Sequence, residues 1–303
     1  PQAPRGLRPD VPEGEEAQAD EPLSTSGRRT MKLGYNTNGL QNHRLDDALR
    51  LLADHGYEAV ALTLDVGHLD PFRATASEIA ATRRLLDALG LAVVVETGAR
   101  FLLDPRHKHE PTLMTRGEAA RAKRLDFLDR AAAIGADLGA AVVSFWVGID
   151  RDPGTDSWPR VVDGVAAASA VIRARGLTPA LEPEPGMAVA SMAEFDRLCG
   201  DLRDEAPALA LDVGHLYVTE TEPVPEICRR YAARCAQVHL EDMRRGVHDH
   251  LPPGEGDVDF PGVLGALSTG GYEGPVCFEL SRSSHTAPEL VARCRDVFRS
   301  ARQ

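Results

Sequence analysis

Acidic side chains close three short apolar runs of this 303-residue chain. Glu182 ends such a run in TPALEPEPG, Asp212 in ALALDVGH and Glu279 in PVCFELS. A carboxylate at the edge of a buried segment is costly unless it is paired with a cation or bound to a metal ion. We therefore take these three acids as candidate metal ligands.

Histidines gather at similar places in the chain. Of the ten histidines, all but His55 follow or end one of the apolar runs. A single histidine is usually a surface or core residue, but a set of this kind indicates a metal site. Imidazole together with carboxylate suits Zn²⁺, Mn²⁺ or Fe²⁺ better than Ca²⁺. We expect one to three such ions per chain, with these histidines as candidate ligands: His68, His109, His215, His239, His248 and His250.

One of these patterns occurs twice. LTLDVGHLDP spans residues 62–71 and LALDVGHLYV spans residues 209–218. We interpret the two copies as equivalent strand exits of one repeated strand–helix unit. In the second copy both Asp212 and His215 are candidate ligands. In the first copy we expect His68 to bind metal, while Asp65 orients it or caps the turn.

The elements that position these residues follow from the pattern of apolar residues. Eight short, β-rich runs alternate with stretches of helical spacing, several of which end in glycine. Strict alternation of this kind predicts an α/β fold with a parallel sheet, and eight units predict a closed (β/α)₈ TIM barrel, whose active site lies at the carboxyl ends of its strands. No GxGxxG or GxxxxGK[ST] motif follows the first run, which argues against a nucleotide-binding fold. The predicted strands are 32–36, 59–64, 92–96, 141–145, 178–182, 208–212, 236–240 and 276–280.

Composition narrows the class of protein further. The net charge of −12 disfavours nucleic acid as a partner, because a duplex binder needs a basic face. No apolar run is long enough to span a membrane, and no signal peptide is evident. Five cysteines without a CxxC pair indicate reduced thiols in a cytoplasmic protein. We expect residues 1–30, rich in proline and acid, to be a disordered tail, and residues 31–303 to form a single catalytic domain.

The strand-end motifs resemble the xylose-isomerase-like TIM barrel superfamily, and the resemblance covers nearly all of residues 31–303. That superfamily includes sugar-phosphate isomerases and epimerases, and also endonuclease IV. In the isomerase and epimerase branch one metal ion is held after strands five to eight. The resemblance places that ion on Glu182 in LEP, Asp212 in LDVGH, His239 in VHLED and Glu279 in FEL. It also implies that His215 and the pair Arg245–Gly246 touch the substrate.

A second part of the resemblance concerns further metal ions. HDHLPPGEGDVDF, residues 248–260, resembles a segment of endonuclease IV in which an Asp-x-His pair precedes Gly-Glu-Gly. Here His248 replaces the Asp, and the resemblance implies that His248, His250 and His215 hold a third ion. It likewise implies that His68 and His109 (or His107) hold another ion that Glu182 bridges.

Several reactions are compatible with these residues. Our leading hypothesis is a di- or trinuclear metal-dependent hydrolase of a small phosphoester, such as a sugar or cyclitol phosphate. The alternative is a single-metal sugar (phosphate) isomerase or epimerase with Glu182 and Glu279 as the acid–base pair. A cyclitol dehydratase and a non-catalytic metal-binding protein stay open. In each enzyme the substrate is small and polyhydroxylated or phosphorylated, and exit-loop cations are candidates to bind it: Arg100, Lys108, Arg244, Arg245 and Arg282.

Overall fold

The computed structural model describes residues 1–2, 31–152 and 156–302. The predicted disordered tail therefore lies almost wholly outside the described residues. The assignment of residues 31–303 to a single domain stays a prediction.

Eight parallel strands form a closed barrel in the order β1-β10-β7-β6-β5-β4-β3-β2, which confirms the predicted TIM barrel. Each predicted strand is present, and its ends differ from the prediction by no more than two residues. The barrel strands are β1 Lys32–Asn36, β2 Ala59–Thr63, β3 Ala92–Glu96, β4 Val142–Phe145, β5 Thr178–Leu181, β6 Ala208–Asp212, β7 Cys235–Leu240 and β10 Pro275–Phe278.

Helices connect the strands and cover the outside of the barrel. Two of them end at glycines in the left-handed conformation, Gly90 with φ 68° and Gly139 with φ 72°, as their sequences predict. No helix in the described ranges is long and apolar enough to cross a membrane. The helices are α1 Leu45–Asp54, α2 Ala76–Leu89, α3 Glu118–Leu138, α4 Trp158–Ala174, α5 Met192–Leu202, α6 Val213–Thr219, α7 Val224–Tyr231, α8 Phe260–Thr269 and α9 Ala287–Ser300.

The alternation of side chains along each strand divides the barrel into two regions. The outward-facing residues join the main hydrophobic core beneath the helices. The inward-facing residues form a small apolar cluster: Ala61, Val94, Val142, Ala180, Ala210 and Cys277. Two residues further along each of these strands the side chain again points inward, and there it is polar. The barrel interior is therefore apolar below and polar at the carboxyl end.

A short antiparallel hairpin follows β7 and was not predicted from the sequence. Its strands are β8 Asp242–Arg244 and β9 Val247–Leu251. Residues two apart on a strand share a face, so β9 places His248 and His250 on the same side. The Asp242 carboxylate fixes the connection that follows, because it accepts hydrogen bonds from the backbone N–H groups of Gly254, Glu255 and Val258 at 2.6–3.0 Å.

Candidate metal centre and active site

Four polar side chains converge at the carboxyl end of the barrel. Glu182 directly follows β5, Asp212 ends β6, His239 lies in β7 and Glu279 directly follows β10. One ligand atom from each lies within 4.8 Å of the others. These are the four residues that the resemblance assigns to a single metal ion, and we call them the four-ligand cluster.

The imidazole of His239 is the centre of this cluster. Its Nδ1 lies 3.2 Å from Oε1 of Glu182, 3.1 Å from Oε2 of Glu279 and 3.9 Å from Oδ2 of Asp212. The opposite nitrogen, Nε2, lies 2.9 Å from Oε1 of Glu96, and because a carboxylate only accepts, we assign the proton of this hydrogen bond to Nε2. A carboxylate that accepts from Nε2–H leaves Nδ1 free as a ligand, which is the usual arrangement around a metal-bound histidine.

Two further side chains hold Glu96 in place. Gln237 donates to Oε1 of Glu96, and Ser144 donates to its Oε2. All of these groups are buried. The Glu96 carboxylate thus accepts three hydrogen bonds, and it orients His239 without entering the four-ligand cluster.

The charges of the cluster fit a cation. Burial raises the pKa of Glu182 to about 8, although the neighbouring His239 opposes that effect. Burial alone would lower the pKa of His239, but Glu96, Glu182 and Glu279 together hold it well above its usual value. Oδ2 of Asp212 is buried and has no hydrogen-bond partner in the described part of the chain. A divalent cation would satisfy this unpartnered atom and would replace the protons that otherwise balance the carboxylates.

A group of histidines lies next to the four-ligand cluster. Nε2 of His215 is 3.1 Å from Nε2 of His248, and the His250 ring lies 5.9 Å from the His215 ring between centroids. His215 lies in the first turn of α6, where its backbone N–H donates a hydrogen bond to Oδ1 of Asp212 at 2.8 Å. The structure therefore brings together the three histidines that the sequence assigns to a further ion.

The other two predicted histidine ligands lie apart. Nε2 of His68 is 3.0 Å from the backbone oxygen of His43, and Nδ1 of His109 is 2.8 Å from that of Gly98. Burial lowers the pKa of His109 to about 4, so its ring is neutral at pH 7. Among the described residues neither histidine belongs to a group of three metal-ligating side chains. Their role as ligands shared with Glu182 stays a prediction.

The two DVGH copies also differ in structure. In the second copy Asp212 caps helix α6, whereas in the first copy Asp65 and His68 form a tight turn through mutual backbone hydrogen bonds. Oδ1 of Asp65 accepts from the backbone N–H of Val66 at 2.7 Å, which is the capping role expected for it.

A cavity of about 390 Å³ lies directly at the four-ligand cluster. Its lining includes Glu182 and Glu279 and three of the predicted substrate-binding cations, Arg100, Lys108 and Arg282. Arg245 does not line it. The guanidinium of Arg245 instead lies over the Tyr217 ring, 5.1 Å from its centroid, and donates to a backbone oxygen of the loop that follows α6.

Four residues of the site were not singled out from the sequence. Glu96 ends the run AVVVE, so the rule that identified Glu182 could have found it. Asn38 donates from Nδ2 to Oε1 of Glu279 at 2.7 Å. Glu184 lines the cavity two residues after Glu182. Glu241 is fully buried two residues after His239, and nothing in VHLED distinguishes it from an ordinary rim acid.

Residues 49–301 match the profile of the family described as xylose isomerase-like TIM barrel. The chain belongs to this family. The match covers every strand of the barrel from β2 onward and all four residues of the four-ligand cluster.

Three known proteins are similar to this chain in sequence or in fold. Inosose dehydratase from Serratia proteamaculans (strain 568) is 28% identical over 138 residues, which are 39% of this chain and 46% of that protein. L-ribulose-5-phosphate 3-epimerase UlaE from Escherichia coli (strain K12 / DH10B) is 26% identical over 209 residues, 67% of this chain and 72% of that protein. The solved structure of the IOLI protein with a zinc atom has a TM-score of 0.69, 17% identity, and coverage of 90% of this chain and 96% of that one.

These relatives contradict the leading hypothesis from the sequence. They are a dehydratase and an epimerase, so the expectation of a phosphoester hydrolase is wrong. The physical reason is that metal ligands determine where an ion binds and not which bond of the substrate reacts. The chain spans about half the length of the inosose dehydratases that it matches.

Proposed function

We propose that this chain is a divalent-metal-dependent epimerase or isomerase that moves a proton at the carbon beside the carbonyl of a small keto-sugar. The observation that carries the proposal is the placement of Glu182 and Glu279. Both carboxylates line the cavity, and both present an oxygen to Nδ1 of His239, at 3.2 and 3.1 Å. Two acids on one small cavity can serve as base and acid for the same carbon.

A cation bound by the four-ligand cluster would polarise the carbonyl of the substrate and so make the neighbouring C–H acidic. We take Zn²⁺, Mn²⁺ and Fe²⁺ as the candidate ions, because the donors are one imidazole and three carboxylates. The IOLI protein, whose fold this chain shares, binds a zinc atom, which supports a divalent cation as the cofactor.

The protein groups are suited to the proton transfers themselves. A carboxylate with a pKa near the working pH is an effective proton carrier. Burial raises the pKa of Glu182 to about 8 in the metal-free chain, and a bound cation would lower it again. Glu279 is oriented by the hydrogen bond from Asn38 to its Oε1. One carboxylate removes the proton and the other returns it to the opposite face, which inverts the carbon.

The cations on the cavity wall favour an anionic substrate such as a ketose phosphate. Arg100 and Lys108 lie on the loop after β3, and Arg282 follows β10. A charge-assisted hydrogen bond to phosphate contributes about 1.5–3 kcal/mol, so we expect Arg100→Gln to raise KM for a ketose phosphate by about 10- to 100-fold. KM for the unphosphorylated ketose is expected to change little, and an equal rise for both would contradict the assignment.

A cyclitol dehydratase is the second candidate, and Glu184 is the observation that favours it. Elimination of water needs an acid beside the leaving hydroxyl as well as a base. Burial and the nearby charges of Glu182 and Glu279 raise the pKa of Glu184 well above its usual value, which favours the protonated form of this cavity-lining carboxyl. The inosose dehydratase relatives supply the substrate class.

One assay separates the two candidates. Metal-loaded protein is incubated with ketoses, ketose phosphates and inosose, and the products are identified by NMR. An epimerase yields a stereoisomer of the same mass, whereas a dehydratase yields a product that has lost water. We expect Glu182→Gln and Glu279→Gln each to slow the reaction by about 10²- to 10⁴-fold. Glu58→Gln, an exposed change at the opposite end of the barrel, is the control.

Five free cysteines agree with the cytoplasmic location that we propose for this enzyme.

A further inference from the structure

A second group of buried, unpartnered atoms adjoins the four-ligand cluster. Asp212, Glu241 and His250 each offer one ligand atom, and these atoms lie within 4.8 Å of one another. We propose that this group binds a second divalent transition-metal cation, bridged to the first by Asp212. The proposal goes beyond the proposed function, which requires only one ion.

The first support for this site is a set of buried polar atoms that lack hydrogen-bond partners. The Glu241 side chain is 0% exposed, and its carboxylate could pair with the carboxylate of Asp212 only by sharing a proton. No other described group forms a hydrogen bond with either of its oxygens. The same holds for Oδ2 of Asp212 and Nδ1 of His250. Buried polar atoms in proteins are nearly always paired. Three such groups that face one another indicate a missing common partner.

The spacing of the atoms distinguishes a cation from a proton. Nδ1 of His250 lies 4.0 Å from Oε2 of Glu241, which is too long for a hydrogen bond. Ligand atoms that each lie about 2 Å from one ion are about 3–4 Å apart, so one ion could bind both atoms. A proton shared between the carboxylates of Asp212 and Glu241 would pair only those two groups and would leave Nδ1 of His250 without a partner.

A glycine in helix α6 leaves space for the Glu241 side chain. A Cβ atom on Gly214, in helix α6, would lie 1.8 Å from Oε1 of Glu241 and 2.6 Å from the methyl carbon of Met243. The glycine of the second DVGH copy therefore serves close approach, and it keeps the carboxylate of Glu241 aimed at Asp212 and His250.

This site is distinct from the one that the sequence assigns to His215, His248 and His250. His250 belongs to both groups, whereas Glu241 belongs only to the new one and His248 only to the other. One imidazole and two carboxylates favour Zn²⁺, Mn²⁺ or Fe²⁺. Because Asp212 is shared with the four-ligand cluster, two Mn²⁺ ions bound at these sites would be magnetically coupled.

The test counts ions in the full chain. Protein stripped with a chelator is reloaded with Mn²⁺, desalted and analysed for metal, and its EPR spectrum is recorded. Glu241→Gln and His250→Asn probe the new site, and Glu279→Gln probes the four-ligand cluster. His248→Asn tests the competing histidine group. Glu255→Gln, an exposed change in the loop after β9, is the matched control.

We expect the wild type to bind at least about two equivalents with a coupled EPR spectrum, and Glu241→Gln and His250→Asn each to lose about one equivalent and show the spectrum of an isolated ion. His248→Asn and Glu255→Gln are expected to match the wild type. The proposal is overturned if the wild type binds one ion, or if Glu241→Gln keeps the wild-type count. It is also overturned if His248→Asn loses the second ion, or if Glu241→Gln loses every ion at once.

Discussion

Replacement of Glu96 by glutamine tests how the barrel prepares His239 for a metal ion. Glu96 accepts hydrogen bonds from His239, Gln237 and Ser144. A glutamine has the same shape but only one acceptor oxygen, and its NH₂ group is a donor. Ser144 could accept a hydrogen bond from that NH₂ group, but the negative charge that favours Nε2–H of His239 would be lost in either orientation of the amide.

The expected magnitude follows from the interaction that is lost. A hydrogen bond to a charged group contributes about 1.5–3 kcal/mol, and loss of the carboxylate behind a metal-bound histidine typically weakens metal affinity by about 10- to 100-fold. We therefore expect Glu96→Gln to raise the dissociation constant for Zn²⁺ or Mn²⁺ by about 10- to 100-fold, or about 1.4–2.7 kcal/mol. The fold should persist, because the substitution also removes one negative charge from a crowded group of carboxylates.

Calorimetric titration of chelator-stripped protein measures this change directly. Glu58→Gln makes the same chemical substitution at the start of β2, at the other end of the barrel, and should leave the affinity unchanged. Nitrogen NMR of the metal-loaded protein should show His239 with its proton on Nε2 in the wild type. The reasoning is refuted if Glu96→Gln binds metal as tightly as the wild type, or if Glu58→Gln weakens binding as much.

Two further predictions concern pH and packing. Metal binding to the stripped protein should release protons and tighten as pH rises from 6 to 8, because the pKa of His239 lies well above its usual value and that of Glu182 is about 8. Calorimetric titration in buffers of different ionisation enthalpy measures the proton release. A metal affinity that does not change over this pH range would argue against the explanation. Gly214→Ala should destabilise the fold by about 1–3 kcal/mol in equilibrium urea unfolding, because its Cβ would collide with Glu241. Gly265→Ala in α8, with no atom near its Cβ, should instead be neutral or stabilising by up to about 1 kcal/mol, so equal effects of the two changes would contradict this explanation.

The barrel could be predicted from the sequence because strands covered on both faces leave unbroken apolar runs. The same rule located Glu182, Asp212 and Glu279, since a strand-end acid in such a run must point into the barrel mouth. The hairpin β8–β9 escaped prediction because VHDHL carries polar residues on both faces and has no apolar alternation. Its pairing becomes visible only in three dimensions.

The sequence also could not identify residues whose role depends on the close approach of two elements in the folded chain. Glu241 is recognised as part of the site only when Gly214 is seen to make space for it. The prediction of a hydrolase was wrong because it rested on the number of histidines at the strand exits, which we interpreted as ligands of a multinuclear metal centre. His68 and His109 make their hydrogen bonds to backbone oxygens and belong to no group of three ligands among the described residues, although His109 lines the same cavity as Glu182, and their role as ligands stays a prediction.

The central claim is that Glu182 and Glu279 move a proton at the carbon beside a carbonyl. It is tested most directly by incubation of metal-loaded protein with a reactive ketose in D₂O, with NMR detection of deuterium at that carbon. The account predicts rapid exchange in the wild type and exchange slowed by about 10²-fold or more in both Glu182→Gln and Glu279→Gln. Product formed without deuterium uptake from solvent, or wild-type exchange in both variants while the metal stays bound, would contradict it.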